Sequence, residues 1–135
     1  MSDENPPDLV EPIDSVDVVF YQFLIWLKAW ETQKINSYLS FYLKDFKDFN
    51  RPREIWEAQR RKAFASNSGV SIEISDIQIL RADDVVEMSF IQNYKSGRTT
   101  DVGKKVLIWK NEGGRWKIVK EFWESSWWNF LSPWS

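Results

Sequence analysis

The chain has 135 residues, 43% of them hydrophobic, and a formal charge of −2, which is material for one domain with a full core. It has no cysteine, which excludes disulfides, thiolate metal sites and cysteine nucleophiles. It has no histidine either, so the commonest general base and metal ligand is missing and any catalysis falls to Asp, Glu, Lys, Tyr or water.

Nine tryptophans stand in this short chain, and aromatics make up 16% of it. Each large ring buries about 150–250 Å². So many rings exceed what a small core needs, and some are expected on a pocket wall or an interface. Charge is uneven. Asp3, Glu4, Asp8, Glu11, Asp14 and Asp17 are unopposed by Lys or Arg, so the remaining 118 residues hold all 18 basic side chains against 14 acidic ones. A mildly basic body behind an acidic leader favours anionic ligands, although an ordinary solvated surface reads the same way. No segment reaches the ~18 consecutive apolar residues of a membrane helix. The acidic start, without an apolar run, does not read as a secretory signal.

Residues 1–12, with Pro6, Pro7 and Pro12, read as a flexible acidic leader. A helix is expected from Asp14 or Ser15, either of which serves as N-cap. Val16, Val19, Phe20, Phe23, Leu24, Leu27 and Trp30 then recur at three- and four-residue steps. A break near Thr32 leads into a second helix over 33–43, with Ile35, Tyr38, Leu39 and Tyr42 on one face. A third starts at Pro52, runs through Ile55, Trp56, Gln59, Ala63 and Phe64, and ends at Asn67-Ser68-Gly69.

Beyond Gly69 the period becomes two. Val70, Ile72 and Ile74 alternate, then Ile77 and Ile79 continue in the opposite phase, so a bulge is expected at Ser75-Asp76. Asp83-Asp84 marks a turn. A strand over 85–95 places Val86, Met88, Phe90, Gln92 and Tyr94 on one face, and Ser96-Gly97-Arg98 turns the chain again. A third strand over 100–110, a hairpin loop at Asn111 to Gly114 and a fourth strand over 115–124 complete an antiparallel meander. Helices first and strands after define an α+β fold. The domain is bounded at 13–124, and residues 125–135 form a Trp-rich extension expected to pack on the domain or on a partner.

Ala29-Trp30, Tyr38-Leu39-Ser40-Phe41-Tyr42, Phe46, Trp56 with Arg60, Phe90-Ile91-Gln92-Asn93-Tyr94, Lys104 ahead of Val106, and Trp116-Lys117-Ile118-Val119-Lys120-Glu121 occur in this order and spacing. On these phrases, over residues 15–124, the chain resembles the nuclear transport factor 2-like superfamily of α+β cone folds. Within it, the chain is similar to the small domain found beside L,D-transpeptidase or L,D-carboxypeptidase catalytic domains in bacterial envelope proteins. The resemblance implies a pocket between three N-terminal helices and a curved antiparallel sheet. It also implies an accessory module binding peptidoglycan or another glycan, in the periplasm or cell envelope, without the catalytic cysteine domain. Trp109 departs from the pattern, where an aliphatic residue is usual, as does the aromatic C-terminal extension.

The candidate ligand-binding residues are Trp30, Tyr42, Phe46, Trp56, Arg60, Gln92, Tyr94, Lys104, Trp116 and Glu121. Arg60 and Lys104 offer charge to a carboxylate, and Arg does so with a bidentate fork. Trp30 and Trp56 offer platforms to a sugar ring or an apolar group. The plainer reading makes the rings core and the charges an ion pair between helix and sheet. Glu121 is out of phase with Trp116 and Ile118, so the three share a face only if a bulge intervenes. No catalytic residue, cofactor or metal is expected. The alternative is an isomerase- or cyclase-type enzyme with a pocket carboxylate, and a further alternative is a module that dimerises through its sheet and tail. The basic run Arg51, Arg53, Arg60, Arg61 and Lys62 is diluted by Glu54 and Glu57, so nucleic acid is not expected as a partner.

Overall fold

A computed structural model describes residues 15–66 and 69–125. The acidic leader, the expected helix end at Asn67-Ser68 and the Trp-rich tail beyond Ser125 lie outside the described residues. Three helices, α1 (Ser15–Glu31), α2 (Ile35–Ser40) and α3 (Arg53–Ser66), precede four strands, β1 (Ser71–Ala82), β2 (Val85–Ser96), β3 (Thr99–Glu112) and β4 (Arg115–Ser125). The strands form one antiparallel sheet in chain order.

The buried seam of α1 is Val19, Phe23, Trp26, Ala29 and Trp30. It is rotated from the expected stripe: Trp26 faces the sheet, whereas Leu24 is 45% exposed. Neighbouring rings set this choice. Phe23 meets Phe90 at 5.1 Å between centroids, and Trp26 lies 6.0 Å from Tyr38, so the largest side chains take the inward positions. Gln33 ends α1 in the left-handed region at φ 60°, with Gln33 N–H donating to Trp30 O (3.1 Å) and Lys34 N–H to Ala29 O (2.8 Å). This is the paired bonding of a Schellman cap, built here on a residue other than glycine.

The second helix stops at Ser40, three residues before the expected end, because the sheet claims the chain. Leu43 N–H donates to Ile118 O (2.9 Å) and Ile118 N–H to Phe41 O (2.8 Å), a parallel bridge along the outer edge of β4. It covers part of an edge that would otherwise leave backbone groups unpaired. Arg53 then donates to the carbonyls of Leu39 (3.2 Å) and Leu43 (2.6 Å), satisfying acceptors at the end of α2. Pro52 leads into α3 as expected, its carbonyl accepting from Trp56 N–H (3.1 Å).

Two bulges bend the sheet. On β1, Ser75 pairs with Ile91 but Gln78 with Ser89, so Asp76 and Ile77 oppose one residue, and Asp76 takes φ 53°. On β4, Ile118 pairs with Trp109 and Lys120 with Ile108, which makes Val119 the extra residue. A bulge adds local twist and curvature, and two of them turn a flat meander into a concave surface. Met88, Phe90, Leu107, Trp109 and Ile118 line that surface and pack under α1. Trp109, the departure from the family pattern, is fully buried and meets Phe41 edge-on at 6.4 Å. The β3–β4 loop is tighter than expected. Only Gly113 and Gly114 turn the chain, at φ 60° and 87°, a pair of positive angles that suits the hairpin twist.

Gly103 is required for a different reason. A Cβ there would lie 2.3 Å from Glu124 O and 2.9 Å from Ser125 Cα, backbone atoms of the adjacent strand. Gly103→Ala is therefore expected to force β3 and β4 apart and to lower stability by about 1–3 kcal/mol. Thermal and urea denaturation check this; an unchanged midpoint would show that the strands separate freely.

Candidate functional site

Between α3 and the concave face, at the end marked by the C-terminus of α1, lies a cavity of about 430 Å³. One wall is the face of α3 carrying Trp56, Arg60, Ala63 and Phe64, whose spacing repeats the helical turn. The opposite wall is the sheet, where Gln92 and Tyr94 of β2, Asp101 and Lys105 of β3, and Glu121 and Trp123 of β4 reach inward. Trp30 and Phe46 close the sides, with Asp48, Phe49 and Arg51 at the lip.

Seven of the ten candidate residues line this cavity: Trp30, Phe46, Trp56, Arg60, Gln92, Tyr94 and Glu121. Tyr42 is buried one layer behind, in contact with Glu121. Lys104 and Trp116 are elsewhere. Lys104 is on the convex face, in a shallow cleft with Asp76 and Ser89, and Trp116 is at the narrow end of the cone beside Val18 and Phe41. The lysine that enters the cavity is its neighbour Lys105, which alternates inward with Gly103, Leu107 and Trp109. The alternation of Leu107 and Trp109 carried that signal, since a residue two positions from a core leucine shares its face. Trp123 was also missed as a lining residue; it sits directly across from Lys105 in the ladder.

Lys105 is 4% exposed and Glu121 is similarly enclosed, with Nζ and Oε2 3.2 Å apart. The Val119 bulge brings Glu121 to the same face as Trp116 and Ile118. Tyr42 Oη is 2.6 Å from Glu121 Oε1, accepts from Trp26 Nε1–H at 3.1 Å, and lies 3.0 Å from Tyr38 Oη. A phenol has one proton, and the short contact to the carboxylate takes it, so Tyr38 supplies the proton between the two tyrosines. Lys105 Nζ also sits 4.6 Å from the centroid of Trp30 and 5.6 Å from that of Trp123, within cation–π range. The pair is thus bonded on both sides, the condition under which buried charges are tolerated.

Burial alone would push the Glu121 carboxyl up; Lys105, Arg60 and the Tyr42 hydroxyl together draw it below its ordinary 4.5. Burial draws the Lys105 ammonium below its ordinary value, opposed by Glu121. Burial likewise raises the Tyr42 phenol well above 10, helped by Glu121, so it stays a neutral donor. The floor of the cavity is an ionised pair with its protons held in place. Among the described residues no cluster of three or more acidic side chains is placed to hold a metal ion, and no helix is long and apolar enough to cross a membrane.

Glu121→Gln leaves the Lys105 ammonium buried without its carboxylate and is expected to cost about 3–5 kcal/mol, with the double change Glu121→Gln, Lys105→Met recovering much of it. Since the Glu121 carboxyl is lower in the folded than in the unfolded chain, its stabilisation is present above pH 4.5 and lost as the pH falls through the folded value. Denaturation curves of the native chain and both variants between neutral and acid pH check this. An acid limb of equal slope in Glu121→Gln would show that other carboxyls govern it.

Residues 18–122 match the family model described as the Cds6 C-terminal NTF2-like domain. Among curated proteins none matches the chain. Among solved structures, Bd1075 from Bdellovibrio bacteriovorus is similar at 24% identity and a TM-score of 0.73, over 81% of this chain and 40% of that one. The helical cell shape determining protein Pgp2 (K307A mutant) from Campylobacter jejuni is similar at 25% identity and a TM-score of 0.70, over 79% of this chain and 40% of that one. The chain thus spans about two fifths of the length of both. The same fold, at 10% identity and a TM-score of 0.68, occurs in a putative scytalone dehydratase from Novosphingobium aromaticivorans, where the chain covers 83% of that structure at 82% of its own length. The match over most of its length, on a helix-lined cone with a curved four-stranded sheet, makes this chain a member of the Cds6 C-terminal NTF2-like domain family.

Proposed function

We propose that the domain is a non-catalytic binding module whose cone accepts a fragment of peptidoglycan, or a related cell-envelope glycan, and serves as an accessory part of a larger envelope protein. The observation that carries this reading is the cavity itself: about 430 Å³, walled by Trp30, Trp56, Tyr94 and Trp123, with the cation of Arg60 inside. Aromatic faces beside a guanidinium suit a ligand that has both ring or alkyl surface and a carboxylate. The likeness to a cell shape determining protein, over two fifths of that protein's length, adds support for an envelope role.

The state of Glu121 favours binding over catalysis. An isomerase- or cyclase-type mechanism needs a carboxyl whose oxygens are free to take a proton from the substrate or give one to it. Glu121 is the buried acid of the cavity, and its pKa is drawn down by Lys105 and Arg60 against the effect of burial. Its oxygens are occupied by Tyr42 and Lys105.

Soluble muropeptides titrated into the protein are expected to change the intrinsic tryptophan emission with saturation below millimolar concentration. Trp123→Ala, which removes a partly exposed wall residue, is expected to weaken binding by about tenfold. Unaltered emission and unaltered indole NMR signals at millimolar muropeptide would refute the reading.

A further inference from the structure

The charges that line the cavity divide into those held in a direct ion pair and those that are not. Lys105 pairs with Glu121, and Arg51 at the lip pairs with Asp48. Arg60 and Asp101 remain. Both line the cavity and make no side-chain hydrogen bond or ion pair among the described residues; Arg60 lies within the field of Glu121 and Asp48, and Asp101 is exposed at the mouth. They stand on opposite walls, Arg60 on α3 and Asp101 on β3. Gln92 also lines the cavity; it is 3% exposed, and its Oε1 is buried with no partner among the described residues. Gln92 faces Gly103 across the ladder, and Asp101 faces Tyr94, so the two acceptors follow one another along the same inner face. A buried amide oxygen facing a cavity takes a donor from whatever fills that cavity, water or ligand.

Resting on the binding reading above, we infer that the cavity recognises a zwitterion: a free carboxylate held by Arg60 and a free ammonium held by Asp101, with Gln92 Oε1 accepting from an N–H of the same ligand. The recognised part of a wall fragment is then the amino-acid end of its peptide, not its sugar rings. A neutral sugar would offer neither Arg60 nor Asp101 a countercharge, and an anion without an amine would offer Asp101 and Gln92 no ammonium. The guanidinium binds carboxylate with a two-pronged fork and stays charged throughout the accessible pH range. An ammonium brings three donors, enough for both Asp101 and Gln92.

The probes are a disaccharide-tripeptide ending in diaminopimelate with its terminal carboxylate and amine free, the same compound amidated at that carboxylate, the same compound acetylated at that amine, the disaccharide without peptide, and free diaminopimelate. Affinities are read by tryptophan emission and calorimetry. The free form is expected to bind, and each blocked form to bind about tenfold to a hundredfold more weakly, the range for losing one charge-assisted contact. In Arg60→Met the amidation penalty disappears while the acetylation penalty persists; in Asp101→Asn the reverse holds. Equal binding of the free and blocked muropeptides, or binding of the bare disaccharide alone, overturns the zwitterion inference and leaves the wall-binding module standing. Binding of free diaminopimelate through Arg60 and Asp101 with no binding of any muropeptide does the opposite. Failure of all five probes overturns both.

Discussion

The contact between Tyr42 and Glu121 ties together every layer of this domain. Through it the end of α2 grips the last strand, Trp26 of α1 and Tyr38 of α2 join by hydrogen bonds, and Lys105 of β3 completes the pair. Two charges taken out of water are a liability unless each remaining lone pair and proton finds a partner. Here Tyr42 bonds one carboxylate oxygen, Lys105 the other, and the ammonium is flanked by tryptophan faces. Such a network accepts one arrangement of helices over sheet and penalises others, because any shift leaves a buried charge short of a partner.

The sheet makes that arrangement reachable. A regular β4 would carry Trp116 and Ile118 inward and Glu121 outward. One extra residue at Val119 reverses the parity, so the strand contributes core near its start and polar floor near its end. The bulge at Asp76-Ile77 bends the other edge. Between the two bends the concave face is filled by Trp109, Leu107 and Met88 at one end and left open at the other. Pocket and core are thus one surface, divided by where large side chains stop.

The same division bears on function. The buried acid is neutralised within the protein and the lip aspartate is matched by Arg51. Arg60, Asp101 and Gln92 line the cavity with no hydrogen bond or ion pair to one another. A site whose ionisable floor is locked and whose walls are aromatic is suited to holding a ligand in a fixed pose. The α3 wall is fixed in place: Arg53 fastens its first turn to the carbonyls of Leu39 and Leu43, and Glu57 braces Arg53 and Arg61.

Local pattern carried the order of elements, the meander, the turns at Asp83-Asp84 and Gly97-Arg98, the β1 bulge and most of the aromatic wall, because periodicity and turn chemistry are properties of adjacent residues. The end of α2, the retreat of Trp116 to the narrow end and the parity of Glu121 were settled by pairing between distant segments, whereas the inward choice of Lys105 over Lys104 was already present in its alternation with Leu107 and Trp109. Tyr38 to Tyr42 has a helical pattern, yet the open edge of β4 captured its last residues. Glu121 reads as outward until the ladder shows two residues of β4 spanning one step of β3. A side chain's face along a strand follows from its own alternation only until a partner strand inserts or absorbs a residue, and that event is written in the register between strands, not in either strand alone.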